Sequence, residues 1–396
     1  MRRSKWLAIP LAAAIAAVGL TACSSGGGGG SEPGDKKEPI RVGAVLDITG
    51  PGASLGGPER MALEMLIENL NAKGGIDGHK VELFIEDNQS REDVAARVTN
   101  SMLAERDLDL ILGASRTGPS LAMRPIAEAA EVPMVSLAAN AAIIEGSEWV
   151  FKTAQNDDIV LEKMIEYAAS QGWKTLALVK DASAYGKGIG ETLGKFGAKH
   201  GIKVISEESF DPTATEFTAQ MINTKNAGAD ANVIWGIEPA AALALRGYRQ
   251  AGIQAPIMMG HGVASQEFLR TAGDAAEGLI VTQGPLLLVD DLADSNEQKP
   301  VIQSFVADYK KKYGEEPSPF AAYAFDAYLV MVDALTKALS KGELTGASIR
   351  DAILKVKDLH GATGVFNMTP DNHSGLDSSS VLVGTVKDGS WRLVSE

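Results

Sequence analysis

Short apolar runs rich in β-branched residues alternate with stretches of helical spacing along most of the chain. The apolar runs occupy residues 40–46, 80–86, 108–113, 132–137, 174–179, 202–207, 231–236, 255–260 and 277–282. Continuous apolar runs of this length are typical of strands in sheets that are covered on both faces. Because repeated strand–helix–strand units form parallel sheets, the sequence predicts an α/β fold with doubly wound sheets.

The chain is long enough for two such sheets, since about 360 residues follow residue 39 and two domains are expected at this length. Residues 319–339 read as an apolar helix that contains Asp326 and Asp333. Two aspartates would each cost several kcal/mol in lipid. We therefore predict a helix in a large protein interior and not a membrane span. Short β-like pieces over residues 363–368 and a hairpin over residues 380–394 end the chain.

The first 39 residues have the layout of an exported and anchored segment. Three basic residues precede an apolar run over residues 6–20, which is typical of a secretory signal and too short for a permanent membrane span. Residues 20–23, Leu-Thr-Ala-Cys, resemble the lipobox of bacterial lipoproteins; an ordinary cleavage site beside a stray cysteine is the alternative. We expect a signal peptide over residues 1–22, a lipid anchor on Cys23 and a flexible Gly-rich tether over residues 23–39.

Charge and motif content exclude several classes of function. The formal net charge is −14, and such a surface repels nucleic acid and acidic lipid. Cys23 is the only cysteine, and the five histidines are scattered, so no metal site is predicted. Residues 186–190 resemble a dinucleotide loop, but Leu193 stands where the last glycine belongs. We expect no cofactor and no catalysis, with an exported α/β enzyme as the weaker alternative.

The clearest candidate site is the loop that follows the third apolar run. It carries Ser115, Arg116 and Thr117 and leads, through Pro119, into a predicted helix. Free N–H groups and the positive end of the helix dipole bind anions at such a position. A plain helix cap without a ligand explains the same residues. Residues 136–140 follow the next strand and would meet the first loop at one sheet edge, so a carboxylate site is predicted there.

Five further stretches are informative when they are taken in order: residues 40–51, 71–76, 113–130, 185–188 and 324–327. In this order they resemble the leucine/isoleucine/valine-binding proteins, the type I periplasmic solute-binding proteins of ABC importers. The resemblance implies two Rossmann-like lobes, joined by a crossover hinge, that close over a small molecule. It also implies that the closed form docks on a membrane permease driven by a separate ATPase. The expected lobes are residues 40–153 with 283–361 and residues 154–282 with 362–396.

The same resemblance assigns ligand contacts. Thr117 corresponds to a hydroxyl that bonds the ligand carboxylate. Ala138 and Asn140 correspond to positions that contact the charged end groups of the ligand, largely through the backbone. Tyr185 corresponds to an aromatic wall that the second lobe contributes.

The chain departs from the family at positions that select the ligand. Amino-acid binders usually carry an acid where this chain has His261, and a histidine is not a fixed anion. Glu238 lies near another family contact and is a candidate for the missing negative charge. Leu55 stands where relatives often have an aromatic residue. Arg116 could pair with a second ligand carboxylate or face solvent.

Two ligand hypotheses remain open. The ligand is either a branched-chain or related amino acid whose ammonium Glu238 holds, or an aromatic or aliphatic organic acid without an amine, whose far end His261 and Arg116 contact. A ligand sensor that docks on a signalling partner shares all of these features. In each case we expect a lipid-anchored, extracytoplasmic monomer that binds a small carboxylate and leaves it chemically unchanged.

Overall fold

The computed structural model describes residues 37–342 and 344–394. The predicted signal peptide, Cys23 and residues 23–36 of the predicted tether lie outside the described residues. The first large sheet consists of β1 (Ile40–Leu46), β2 (Val81–Asp87), β3 (Leu110–Gly113), β4 (Met134–Ser136) and β5 (Val150–Lys152). Its strands are all parallel and lie in the order β2-β1-β3-β4-β5.

The second large sheet combines a parallel body with an antiparallel edge. Its strands are β6 (Thr175–Asp181), β7 (Lys203–Phe210), β8 (Ala231–Trp235), β9 (Ile257–Met259), β10 (Ile280–Gln283), β13 (Leu382–Lys387) and β14 (Ser390–Leu393). They lie in the order β14-β13-β10-β9-β8-β6-β7, and β13 and β14 form the predicted terminal hairpin. A short antiparallel ladder joins β11 (Leu359–His360) to β12 (Val365–Phe366).

Helices cover these sheets. They are α1 (Ala53–Ala72), α2 (Glu92–Arg106), α3 (Thr117–Ala130), α4 (Asp157–Ser170), α5 (Ile189–Lys199), α6 (Thr218–Ala227), α7 (Ala240–Gln250), α8 (Gln266–Ala272), α9 (Gln298–Tyr313), α10 (Pro319–Ser340) and α11 (Gly346–Ile353). The first lobe comprises the first sheet with α1–α3 and α9–α11, and the second lobe comprises the second sheet with α4–α8. The single-residue lobe boundaries remain predictions.

Each apolar run that was predicted to be a strand overlaps one. The prediction missed β5 and the two-residue β11, because the apolar run of β5 covers only residues 149–151, between the charged Glu148 and Lys152. The expectation that every run is buried on both faces is wrong for β2 and β7, whose residues are largely half-buried or exposed. These strands lie at the edges of their sheets, so one side of each faces solvent.

The predicted interior helix is α10, which packs against α1 and α11. Fourteen of its 22 residues are buried, which confirms that it lies in a protein interior. In the described part of the chain, no helix is both long and apolar enough to cross a membrane.

Buried hydrogen bonds tie together the segments by which the chain crosses between the lobes. Gln155, after β5, donates from Nε2 to the carbonyl of Thr363, at 2.7 Å. A Cβ on Gly284, after β10, would lie 2.6 Å from the same Nε2, so the crossing segments touch closely there. Asp326 of α10 accepts the N–H of Thr363, at 2.9 Å. The hinge is therefore a polar, hydrogen-bonded junction that is anchored to α10.

Candidate ligand-binding site

A cavity of about 170 Å³ lies between the lobes, below the range of ~300–1,000 Å³ that is usual for drug-sized ligands. The first lobe lines it with Leu55, Ser115, Arg116, Thr117, Ala138 and Tyr323, among others. The second lobe contributes Ser183, Ala184, Tyr185, Ile237, His261 and Gly262. Most of these residues follow the carboxyl ends of β3, β4, β6, β8 and β9, where open parallel sheets bind ligands.

The start of α3 forms the anion-binding side of this cavity. α3 begins at Thr117, four residues earlier than the helical stretch read from the sequence, and Pro119 lies in its first turn. The Ser120 N–H already bonds to the carbonyl of Arg116, at 3.1 Å. The N–H groups of Thr117 and Gly118 have no acceptor within the helix, because a helix start leaves its first donors unpaired. With the Thr117 hydroxyl and the helix dipole, they suit a carboxylate.

Ser115 lines the cavity, but its hydroxyl is engaged inside the first lobe. Its Oγ donates to Oε2 of Glu59 and accepts the N–H of Asp47, at 3.0 Å. Glu59 is buried, and burial raises its pKa well above the ordinary value. Ser115 therefore fixes the loop that carries Thr117.

Arg116 does not face solvent, and an acid of its own lobe already pairs with it. Its Nε bonds to Oδ2 of Asp47, at 2.5 Å, and its terminal nitrogen donates to the carbonyl of Ser90. The side chain is only 16% exposed, so it does not project into solvent. Its guanidinium lines the cavity, and Asp47 of the same lobe neutralises its charge. Its charge also acts on Asp181 of the second lobe. Burial raises the pKa of Asp181, and the positive charge of Arg116 partly offsets that rise.

The loop after β4 brings Ala138 to the cavity but not Asn140. Ala138 lines the cavity, and its N–H bonds to Oγ of Ser136, at 3.2 Å. Asn140 does not line the cavity, because its Oδ1 accepts the N–H of Ala142 and caps a short 3-10 helix. The structure thus gives no cavity contact for the Asn140 side chain.

Aromatic rings form the wall in the second lobe. Tyr185 stacks on Trp235 with ring centroids 5.2 Å apart, and His261 lies 6.3 Å from the Tyr185 ring. Oη of Tyr185, Nε1 of Trp235 and both ring nitrogens of His261 are buried without a hydrogen-bond partner in the protein. An unmade hydrogen bond of a buried group costs about 1–3 kcal/mol. Tyr185 and His261 line the cavity, so their unpartnered groups are suited to a polar ligand, whereas Trp235 is not among the lining residues.

Glu238 does not reach this cavity. Its Oε1 accepts a hydrogen bond from Oγ of Ser265, at 2.9 Å, and its side chain lines a different crevice with Pro239 and Arg270. Burial raises the pKa of Glu238 to about 7. The residue after β8 that lines the cavity is Ile237, so the hypothesis that Glu238 holds the ligand's ammonium does not agree with its position.

Sequence reasoning missed two elements of the site. Tyr323 and Phe320 of α10 line the cavity, and their spacing of three places them on one face of the helix. Their aromatic character was visible, but the helix was interpreted as interior only. Asp157, at the first residue of α4, lies 3.3 Å from Nε2 of His261. Its position directly after the crossover was the signal that could have drawn attention to it.

Comparison with known proteins also indicates a binding protein, over most of the chain. The family model described as periplasmic binding protein matches residues 39–390. The leucine-, isoleucine-, valine-, threonine-, and alanine-binding protein of Pseudomonas aeruginosa is 28% identical over 319 residues, which are 79% of this chain and 82% of that protein.

Solved structures agree in fold. An extracellular ligand-binding receptor from Rhodopseudomonas palustris HaA2 has a TM-score of 0.85 and 31% identity, over 90% of this chain and 99% of that one. LivJ of Streptococcus pneumoniae, a branched-chain amino acid transporter substrate binding protein in complex with isoleucine, has a TM-score of 0.76 and 27% identity, over 90% of this chain and all of that one. These likenesses confirm the predicted fold. The chain belongs to the periplasmic binding protein family, with relatives of the leucine/isoleucine/valine-binding type.

Proposed function

We propose that this protein is the extracytoplasmic binding component of an ABC importer and captures an amino acid of the branched-chain type. The Pseudomonas relative is named for leucine, isoleucine, valine, threonine and alanine, and the Streptococcus structure holds isoleucine. Membership of the periplasmic binding protein family supports the extracytoplasmic location.

The observation that carries this proposal is the cavity itself, in which the anion-binding start of α3 and the aromatic wall of the other lobe border one small space. The ligand's carboxylate takes the N–H groups of Thr117 and Gly118 and the Thr117 hydroxyl. Leu55 and Ile237 provide apolar surface for an aliphatic side chain. Because the second lobe adds contacts only when the lobes close, the ligand favours the closed form.

An organic acid without an amine is the second candidate. Oη of Tyr185, which lines the cavity, is a buried donor without an acceptor, and a donor favours a ligand oxygen atom. Arg116 offers less support to this candidate, since Asp47 already pairs with it.

We further propose that Cys23 carries a lipid anchor, that the chain acts as a monomer on a permease with its ATPase, and that the bound compound is not chemically changed. A sensor that docks on a signalling partner would use the same cavity. Neighbouring genes for a permease and an ATPase would support the importer over the sensor.

The test is titration calorimetry of the purified protein with leucine, isoleucine and valine, using Thr117→Ala and Thr117→Ser. A hydrogen bond to a charged group contributes about 1.5–3 kcal/mol, so Thr117→Ala should weaken leucine binding roughly 10- to 100-fold. Thr117→Ser keeps the hydroxyl and should stay within about threefold of the wild type.

Both variants should retain the melting temperature of the unliganded wild type, which separates lost contacts from lost folding. The proposal is contradicted if the three amino acids give no binding heat while benzoates or short dicarboxylates do.

A further inference from the structure

Two adjacent buried side chains of the second lobe, His261 and Asp157, make no hydrogen bond within the protein. His261 lines the cavity and is 2% exposed, and Asp157 lies directly against it and is 4% exposed. Both carboxylate oxygens of Asp157 and both ring nitrogens of His261 are buried and unpartnered. A buried charge is stable only when it is paired and hydrogen-bonded. We therefore expect this pair to take a partner from outside the chain.

Asp157 differs from the other buried acids beside the lobe interface. Glu59, Asp181 and Glu238 each accept a hydrogen bond from a neighbouring serine and keep only one unpartnered oxygen. Among the described residues, Asp157 is the acid with both carboxylate oxygens buried and unpartnered. Its charge is thus the one that local hydrogen bonds leave uncompensated.

The neighbouring buried cation, Lys152, has its donors committed elsewhere. Its ammonium donates to the carbonyl of Ala139, to Oδ1 of Asn156, at 2.6 Å, and, weakly, to the carbonyl of Gln155, at 3.4 Å. An ammonium has three N–H donors, so these contacts use all of them. Lys152 attracts Asp157 only through space and leaves its oxygens free.

We propose that His261, oriented by Asp157, accepts a hydrogen bond from the ligand's ammonium group, and that Asp157 supplies the balancing negative charge; this deepens the proposed function and rests on it. Nε2 of His261 lies 3.3 Å from Oδ1 of Asp157. The two groups make no hydrogen bond in the unliganded protein, although they are within reach of each other. A turn of the imidazole ring that brings Nε2–H onto the carboxylate leaves Nδ1 as the acceptor of the neutral ring. The pair then carries one negative charge, which matches one ammonium. The pair of Asp157 and His261 therefore replaces the single acid that binds the ammonium in amino-acid binders of this family, a role that Glu238 does not fill here.

Asp157 lies behind the cavity lining, so it is a positioning residue, and its test must separate recognition from folding. Leucine and 4-methylpentanoate share the carboxylate and the branched chain and differ in the amine. Titration calorimetry of the full chain with both compounds should show leucine bound at least tenfold more tightly by the wild type. In Asp157→Asn this ratio should fall at least tenfold, while the affinity for 4-methylpentanoate changes by less than threefold.

Matched variants complete the experiment. His261→Phe keeps a flat ring without an acceptor and should lower the ratio as Asp157→Asn does. Asp158→Asn, in the same turn of α4, removes an acid whose Oδ1 accepts the Ile159 N–H and should leave the ratio unchanged. Asp157→Glu keeps a carboxylate and should retain part of the preference for leucine over 4-methylpentanoate.

The inference is overturned if Asp157→Asn weakens both compounds equally, which indicates a structural role, or changes neither. If the wild type binds leucine and only the variants behave unexpectedly, the proposed function stands and this inference alone is wrong. If the wild type prefers 4-methylpentanoate or binds no amino acid, the proposed function is wrong and the inference with it.

Discussion

Four buried carboxylates near the lobe interface have different hydrogen-bond partners and therefore different expected roles. Glu59 is bonded to Ser115 and supports the anion-binding loop. Asp181 is bonded to Ser183 and lies within the field of Arg116. Glu238 is bonded to Ser265 in a separate crevice, and Asp157 is the unpartnered acid behind His261. Local hydrogen bonds, more than residue type, decide which acid is free to act on a ligand.

Glu238→Gln should change how stability depends on pH. Burial raises the pKa of Glu238 to about 7 from 4.5. The folded state therefore binds the Glu238 proton more tightly than the unfolded state does. This difference stabilises the folded state fully below pH ~4.5, and the stabilisation is lost as the pH rises through 7. Relative to the wild type, Glu238→Gln should gain on the order of 2–3 kcal/mol of unfolding free energy between pH 4 and pH 8.

Urea unfolding at both pH values measures this difference, and Glu191→Gln, at an exposed position of α5, is the matched control. A gap between wild type and Glu238→Gln that is the same at pH 4 and pH 8 would contradict the assignment.

The sequence located the site but not all of its contacts. Thr117 and Tyr185 reach the cavity, because loops after parallel strands meet at one sheet edge. Asn140 and Glu238 do not, because each follows a lining residue by one or two positions and turns to a local partner. Asp157 reaches the site through a contact with His261, more than 100 residues away in the chain, which no local pattern contains.

At the scale of elements, α10 connects the core of the first lobe to the hinge and the cavity. Its N-terminal half carries Phe320 and Tyr323 into the cavity lining. One turn further along, Asp326 accepts the N–H groups of Ala362, at 2.7 Å, and Thr363, at 2.9 Å, and the Thr363 hydroxyl. One helix therefore positions both the ligand-facing rings and a crossing segment.

Asp326→Asn should destabilise the protein by about 2–4 kcal/mol, since its amide would point a donor at the N–H groups that the carboxylate accepts. Burial raises the pKa of Asp326 to about 7, so urea unfolding at pH 8 tests the ionised carboxylate. Asp333→Asn, in the same helix, removes a half-buried pair with Lys337 and should cost less than ~1 kcal/mol. Equal losses for the two variants would show that Asp326 does not anchor the hinge.

Element order was predictable because covered parallel strands have a strong apolar signal. β5 was missed because its apolar run, residues 149–151, is bounded by charged residues, and the half-exposed faces of β2 and β7 were missed because a sequence does not show which strand lies at an edge. The N-terminal half of α10 was predicted as helix, but its role in the cavity depends on packing against α1, a contact far apart in the chain.

At the scale of the whole molecule, two α/β lobes border one small cavity, and each lobe lines it with chemically different groups. The first lobe offers helix N–H groups and the Thr117 hydroxyl, and the second offers the rings of Tyr185 and His261, with Trp235 stacked on Tyr185. A ligand that satisfies only one wall gains little from closure, because closure is favoured only by contacts that differ between the open and closed forms.

Small-angle X-ray scattering of the purified protein, with and without leucine at 100 times its dissociation constant, tests this two-lobe capture most directly. The ligand then stabilises the bound form by ~2.7 kcal/mol, so nearly every molecule should be closed. The radius of gyration should decrease with leucine and should decrease less with 4-methylpentanoate at the same concentration, because that compound lacks the ammonium group. A protein that binds leucine by calorimetry but keeps its radius of gyration would contradict capture by closure of the two lobes.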